Sequence, residues 1–273
     1  MGHGKPADAD RRVSHQNEPV ALLQCAFFSE VLGLSTSMSV ILPQETSTQI
    51  GLVGQARDGV HPTLYLLHGL SDDDTTWLRR TSIERYVSAL GLAVVMPRVD
   101  RSFYSDERHG NRYWTFLSEE LPIVVEGFFH VSPRREDTFV AGLSMGGYGA
   151  LKWALRQPQR FAAAASLSGA LNIAERDQFG GRPGLKEQIF GGQSIRATPD
   201  DLIWLLDQVD PPSSPSMYVC CGAEDDLLGE NRTFIEAAER RGFPVTVDIG
   251  PGRHEWGYWD RKVQDVLAWL PIG

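Results

Sequence analysis

The chain has 273 residues, 42% of them hydrophobic, and a formal net charge of −9. That length is enough to bury one sizeable core, while the acidic balance, with Arg79-Arg80, Arg134-Arg135 and Arg240-Arg241 isolated among acids, excludes a nucleic-acid binder that needs a basic face. The three cysteines, Cys25, Cys220 and Cys221, form no spaced framework, so reduced thiols rather than a disulfide scaffold are expected.

Residues 1–20 are read as a flexible, polar extension preceding a single domain over 21–273. The extension has no apolar core of a signal peptide, and no run is apolar for long enough to cross a membrane. A soluble cytoplasmic protein is the expectation. Residues 21–28 and 36–42 read as two opening strands, the second closed by Pro43. Residues 63–67 form a short apolar run ending at His68-Gly69, a buried strand. Thr81-Ser82-Ile83-Glu84 is a capping-box pattern that predicts a helix ending near Gly91. A further strand follows at 92–96, stopped by Pro97. Helical spacing covers 114–128, with Pro122 expected to kink the helix or mark a start.

Residues 138–143 predict a strand that feeds directly into Ser144, and 145–156 a helix that leaves it. A strand at 161–167 is followed by a Gly-rich, irregular stretch over 168–194, expected to be a mobile surface loop. Thr198-Pro199 reads as a helix start running to Val209. A strand at 217–221, a helix at 231–241, a strand at 245–249 and a helix at 258–270 complete the chain. Such alternation predicts an α/β fold, a mostly parallel central sheet with helices on both faces and no large lid domain.

The chemistry concentrates at Gly142-Leu143-Ser144-Met145-Gly146, a G-x-S-x-G match. The pattern is weak by itself, and its context raises it. A strand arrives, turns sharply and leaves as a helix, so that the serine is exposed at the turn. A serine hydroxyl needs an adjacent base. The one histidine after Ser144 is His254, placed between a strand and the last helix. The acid that orients such a histidine should lie past the penultimate strand, where Glu224, Asp225 and Asp226 all stand; Asp225 has the best position, and the other two remain open. An oxyanion would be held by the backbone N–H of Met145, directly after the serine, and of Leu70, in the loop after strand 63–67. His68 is read as bracing that loop. Trp77, Tyr104, Trp114, Leu171, Trp256 and Trp259 are the candidate pocket residues. Asp72-Asp73-Asp74 is read as solvated, since three consecutive carboxylates of an extended loop do not share a face, and no metal or cofactor is expected.

With these residues in hand, the chain resembles the esterase D-like group of α/β-hydrolases, and within it the bacterial tributyrin esterases and acetyl esterases. The resemblance covers about residues 21–271 and rests on Tyr65-Leu66-Leu67-His68-Gly69-Leu70, the stretch from Trp77 to Thr81, that from Ala141 to Gly149, Ser168-Gly169-Ala170-Leu171, Cys221-Gly222-Ala223-Glu224-Asp225 and His254-Glu255-Trp256-Gly257-Tyr258-Trp259. It implies an α/β-hydrolase fold, Ser144, Asp225 and His254 as catalytic triad, and Leu70 and Met145 as oxyanion donors, which raises Asp225 over its neighbours. It also implies a serine carboxylesterase acting on short acyl esters, acetyl to butyryl, through an acyl-enzyme. The alternatives are a feruloyl or acetyl-sugar esterase, an S-formylglutathione-type thioesterase, an acyltransferase, and a non-catalytic binding protein on the same fold. The thioesterase is the less expected, because the loop over 71–77 lacks the cysteine typical of that group. The expected partner is a small-molecule ester, without nucleic acid or membrane, and a homo-oligomer is a family-level expectation.

Overall fold

A computed structural model of the protein describes residues 20–44 and 59–272. The extension expected over residues 1–20 falls outside them, Val20 excepted. The strands are β1 (Val20–Ser29), β2 (Leu34–Pro43), β3 (Thr63–Leu67), β4 (Ala93–Pro97), β5 (Thr138–Leu143), β6 (Ala163–Leu167), β7 (Ser216–Gly222) and β8 (Val245–Gly250). They form one sheet in the order β1-β2-β4-β3-β5-β6-β7-β8. β1 pairs antiparallel with β2, and β2 pairs antiparallel with β4. Every pair from β4 across to β8 is parallel.

The central strands are continuously apolar because both of their faces are covered. Along β3, Tyr65 and Leu67 point into one core, Leu64 and Leu66 into the other. The first core packs against helices α4 (Leu121–Phe128), α5 (Met145–Arg156) and α8 (Leu228–Arg240). The second packs against α1 (Thr76–Arg80), α2 (Ile83–Val87) and α9 (Trp256–Trp269). β7 shows the same alternation, with Met217 and Val219 in one core and Tyr218 and Cys220 in the other. Adjacent Cys220 and Cys221 therefore point apart and are free thiols, as is Cys25.

Three local expectations change. The helix over 114–128 is interrupted by a wide π turn, Phe116–Glu120, between α3 (Tyr113–Thr115) and α4. Pro122 at the start of α4 has no N–H to give and crowds the carbonyl four residues before it, and the wider turn absorbs that gap. The capping box does not form, and α2 stops at Val87. The Ser82 amide is met instead by Asp260 of α9, at 3.3 Å. Nor does Thr198 open its helix: Asp201 caps α7 (Leu202–Leu205), accepting the N–H groups of Ile203 and Trp204.

The Gly-rich stretch after β6 is pinned to the body of the protein. It carries the short helix α6 (Leu185–Phe190), and its Ile173, Phe179, Leu185 and Ile189 are buried.

The three consecutive aspartates are not all solvated. Asp72 accepts the Gly69 N–H at 3.1 Å, and Asp73 organises the start of α1 through Thr75, Thr76 and Arg79. Asp74 is buried and accepts the hydroxyls of Ser37 and Ser39 on β2, at 2.8 and 3.0 Å. Its carboxylate ties the α1 turn to the sheet. Asp74→Ala leaves the buried Ser39 hydroxyl and the half-buried Ser37 hydroxyl without their acceptor, which should cost about 2–4 kcal/mol. Urea unfolding should show a lower midpoint at an unchanged m value, and an unchanged midpoint would refute the tie.

Candidate active site

β3 is followed in sequence by its neighbour on one side, β4, whereas its neighbour on the other side is β5. The order of the sheet thus reverses between β3 and β5, and α/β sheets place their crevices outside the strand ends at such a point. The loops that leave β3 and β5 begin with His68 and Ser144.

Ser144 stands between β5 and α5 with φ +54°, ψ −115°, a left-handed conformation that non-glycine residues rarely adopt. The flanking glycines show why the turn is so tight. A Cβ on Gly142 would lie 2.4 Å from the backbone of Gly146, and one on Gly146 would lie 2.4 Å from the carbonyl oxygen of Leu67. The Ser144 N–H donates to Leu167 O at 2.9 Å, fixing the turn against β6.

His254 Nε2 lies 3.0 Å from Ser144 Oγ, and its Nδ1 lies 3.1 and 3.0 Å from the two carboxylate oxygens of Asp225. The carboxylate accepts the Nδ1 proton, which leaves the Nε2 lone pair facing the hydroxyl. Burial pushes the Asp225 carboxyl up, but hydrogen bonds from His254 and the Leu227 N–H outweigh it and hold the group below its ordinary value. The three acids past β7 divide their work. Asp225 faces the imidazole, Glu224 accepts the Gly252 N–H at 2.7 Å and so supports the histidine loop, and Asp226 lines the cavity.

A cavity of about 530 Å³ opens over Ser144, a size suited to a small ligand. Leu70 and Met145 both line it, beside Ser144 and His254. The adjacent backbone is clamped group by group. Leu67 O accepts the Trp77 indole N–H at 3.1 Å, and His68 O accepts the Tyr104 hydroxyl at 2.8 Å. His68 Nδ1 is 2.8 Å from Gly69 O, and its Nε2 accepts the Val99 N–H at 3.1 Å. The second bond needs an unprotonated Nε2, so His68 is neutral with its proton on Nδ1; burial, opposed by Gly69 O and nearby aspartates, keeps its pKa low. In the trans peptide joining Gly69 to Leu70, holding the carbonyl on one side aims the Leu70 N–H to the other.

Of the six candidate pocket residues, Trp256 and Trp259 line the cavity, and Trp77, Tyr104, Trp114 and Leu171 do not. Trp77 lies fully buried beneath Trp256, their rings perpendicular at 5.4 Å, and supports the wall from behind. The Tyr104 hydroxyl is engaged by His68 O. Trp114 lies under the Arg156 guanidinium, 3.9 Å above its ring. Leu171 points into the core, and its neighbour Ala170 lines the cavity instead. Phe103, Leu143, Leu227 and Arg176 form wall that sequence reasoning missed. Phe103 had a signal, since it follows the exit of β4, where the sheet rule places site residues. Among the described residues no group of His, Cys, Asp and Glu is arranged to hold a metal ion, and no helix is long and apolar enough to cross a membrane.

Comparisons with known proteins show the family and the fold. A family model described as putative esterase matches residues 29–270. An acetyl esterase of Caldicellulosiruptor saccharolyticus is 28% identical over 92% of this chain and 98% of its own length. Among solved structures, a fluorophosphonate-binding serine hydrolase of Staphylococcus aureus superimposes with a TM-score of 0.82 at 34% identity, covering 93% of this chain and 99% of that one. An S-formylglutathione hydrolase of the same organism gives a TM-score of 0.81 at 35% identity, with the same coverage. The chain therefore belongs to this esterase family; it is a carboxylic ester hydrolase of the esterase D-like type with an α/β-hydrolase fold.

The Asp225 arrangement makes stability depend on pH. The carboxyl ionises more readily in the folded state than in the unfolded one. Its contribution is complete above the unfolded value of about 3.9 and is lost as pH falls through the lower folded value. Asp225→Asn removes that contribution. The gap in unfolding free energy between wild type and variant should narrow between neutral pH and about pH 3; a gap that stays constant across this range would contradict the hydrogen-bonded carboxylate.

Proposed function

We propose that this enzyme hydrolyses short-chain acyl esters, acetyl to butyryl, in two steps through an acyl-enzyme on Ser144. The observation that carries the reading is the line from Asp225 through His254 to Ser144 Oγ, at hydrogen-bond distance throughout and ending in the cavity. In this reading His254 Nε2 takes the hydroxyl proton as Oγ attacks the acyl carbon. The carbonyl oxygen becomes an oxyanion, which the N–H groups of Leu70 and Met145 stabilise; the second also stands at the N-terminus of α5, where the helix dipole favours negative charge. Collapse breaks the bond to the alcohol, which leaves with the proton from His254. A water molecule then attacks the acyl-enzyme with His254 again as base, and the acid departs.

The short acyl range is supported by the space. A cavity of about 530 Å³ has to take both the acyl and the alcohol part of a substrate. Its walls include Phe103, Trp256 and Trp259, and aromatic packing behind them restricts their movement: Phe103 lies 4.3 Å from Phe179, and Trp259 lies 5.3 Å from Trp256. The acetyl esterase relative, matched over 98% of its length, supports the acetyl end of this range.

A second reading has an observation of its own. The structural relative at 35% identity is an S-formylglutathione hydrolase, and a formyl thioester needs the same nucleophile and a still smaller acyl space. The two readings separate by kcat/KM, measured for aryl acetate, propionate, butyrate and hexanoate and for S-formylglutathione. A maximum at acetate to butyrate that exceeds the thioester supports the esterase reading, and the reverse order replaces it.

Ser144→Ala, folded as judged by circular dichroism, should lose at least about 10⁴-fold in kcat on aryl acetate. It should also fail to react with a fluorophosphonate probe. Retained turnover in the folded variant would overturn the mechanism.

A further inference from the structure

Lys152 lies on α5, eight residues beyond Ser144, and is 0% exposed. Its ammonium donates to the Tyr104 carbonyl and to Ser105 Oγ, each at 2.8 Å, and pairs with Asp200. The rings of Trp114 and Tyr148 flank it, with centroids at 5.0 and 5.5 Å. A charge taken wholly out of water is costly, and packed apolar side chains of similar volume often replace such a pair without loss of stability. Fold stability alone therefore does not account for this lysine.

What the ammonium holds is unusual backbone. Phe103 and Tyr104 are consecutive aromatic residues, both with positive φ, +50° and +52°. Bulky side chains avoid that region, and two in succession persist only where surrounding bonds impose them. The Lys152 bonds to Tyr104 O and Ser105 Oγ are such bonds. The strained turn sends its two side chains to different parts of the site. Phe103 lines the cavity, whereas Tyr104 passes beneath the β3 exit and gives its hydroxyl to His68 O. The phenol bond and the Asp72 bond to the Gly69 N–H grip both sides of the peptide that precedes the Gly69–Leu70 peptide.

We propose that Lys152 is a positioning residue for the reaction: through the Phe103–Tyr104 turn it sets the direction of the Leu70 N–H and the position of the Phe103 wall. The inference rests on the reading of the Leu70 N–H as an oxyanion donor. No other side chain type available at this position donates to a main-chain carbonyl, a hydroxyl and a carboxylate at once while fully buried, since arginine is bulkier and planar.

The test uses Tyr104→Phe, Lys152→Met and the double variant, with aryl acetate as substrate. A trifluoromethyl ketone, which forms a tetrahedral oxyanion adduct with a serine, reports on the oxyanion site. Active sites are counted by fluorophosphonate titration, so that kcat refers to folded enzyme. Tyr104→Phe keeps the ring and deletes one hydroxyl. It should lower kcat and ketone affinity together, each by about tenfold, with KM within about twofold of wild type. Lys152→Met should lower kcat at least as far and also raise KM, because Phe103 is released. The double variant should lose no more kcat than Lys152→Met alone, since the lysine acts through the tyrosine. A merely structural lysine would lower the thermal midpoint and the count of active sites but leave kcat per site and ketone affinity unchanged, and that result overturns the proposal. So does multiplicative loss in the double variant. If Lys152→Met does not fold, Tyr104→Phe decides alone. Wild-type turnover is first shown to require Ser144, so an unchanged kcat in Tyr104→Phe refutes the positioning role and leaves the hydrolase reading standing.

Discussion

The turn at Ser144 brings the end of β5, the start of α5 and the exit of β3 closer together than side chains would allow. The contact between Gly146 and the carbonyl of Leu67 leaves no room for a Cβ, and a single methyl group there would push β3 away from α5. Ser144 itself sits in left-handed backbone, at a cost of about 1–3 kcal/mol. The bond from its amide to Leu167 O and the burial of α5 between the two neighbouring strands offset that cost. Everything else in the site is measured from this point. The hydroxyl is aimed out of the sheet because the backbone beneath it has no other direction to take. The Met145 N–H opens the helix beside it, and the loop after β3 passes alongside, so that Leu70 and Met145 both line the cavity over the serine.

Two groups of loops converge on the turn from opposite sides. The loops after β7 and β8 bring Asp225 and His254 into line with the serine hydroxyl. The loops after β3 and β4 bring Leu70 and Phe103 to the cavity wall and the Tyr104 hydroxyl to His68 O beneath it. The first group is stabilised by charge: a buried carboxylate is satisfied by an imidazole and a backbone N–H, with Glu224 bracing the loop that carries the imidazole. The second is stabilised by successive capture of carbonyls, those of Leu67, His68 and Gly69, by three different side chains. A buried carbonyl has two lone pairs and tolerates little orphaning. Here that requirement also fixes the orientation of three successive peptides beside the cavity.

The legible parts of the chain are those in which local pattern and tertiary role coincide. Strands β3 to β7 are mostly apolar because both faces are buried, and their pattern needs no partner to be read. Ser144 is visible through its strand–turn–helix context, and His254 through its place between β8 and α9. Asp225 is visible only as one of three acids, because the choice depends on where Gly252 and the cavity lie in space. Glu224 and Asp226 are taken up by those two. The pocket is the least legible. Tyr104 and Phe103 are adjacent, and which of them reaches the cavity depends on two positive φ values that no residue type there announces. Trp114 is large and near in sequence to the site, yet Arg156 covers it. The role of Asp74 is hidden for the same reason, since Ser37 and Ser39 reach it only once β2 has joined the sheet.

The aromatic residues on the His254 side form a chain of perpendicular contacts. Trp77 meets Trp256 at 5.4 Å, Trp256 meets Trp259 at 5.3 Å, and Trp259 meets the His254 ring at 4.8 Å. Edge-to-face packing of this kind fixes ring orientation as well as position. In the proposed mechanism the imidazole has to rotate little between receiving the serine proton and delivering it to the leaving group, and a ring packed at right angles against Trp259 and held at Nδ1 by Asp225 has little freedom to do otherwise. Trp77 closes this chain onto the other half of the site, because its indole N–H is the donor that holds Leu67 O. One side chain outside the cavity thus joins the aromatic wall beside His254 to the end of β3 and the Leu70 loop, so the two halves of the site share a common support.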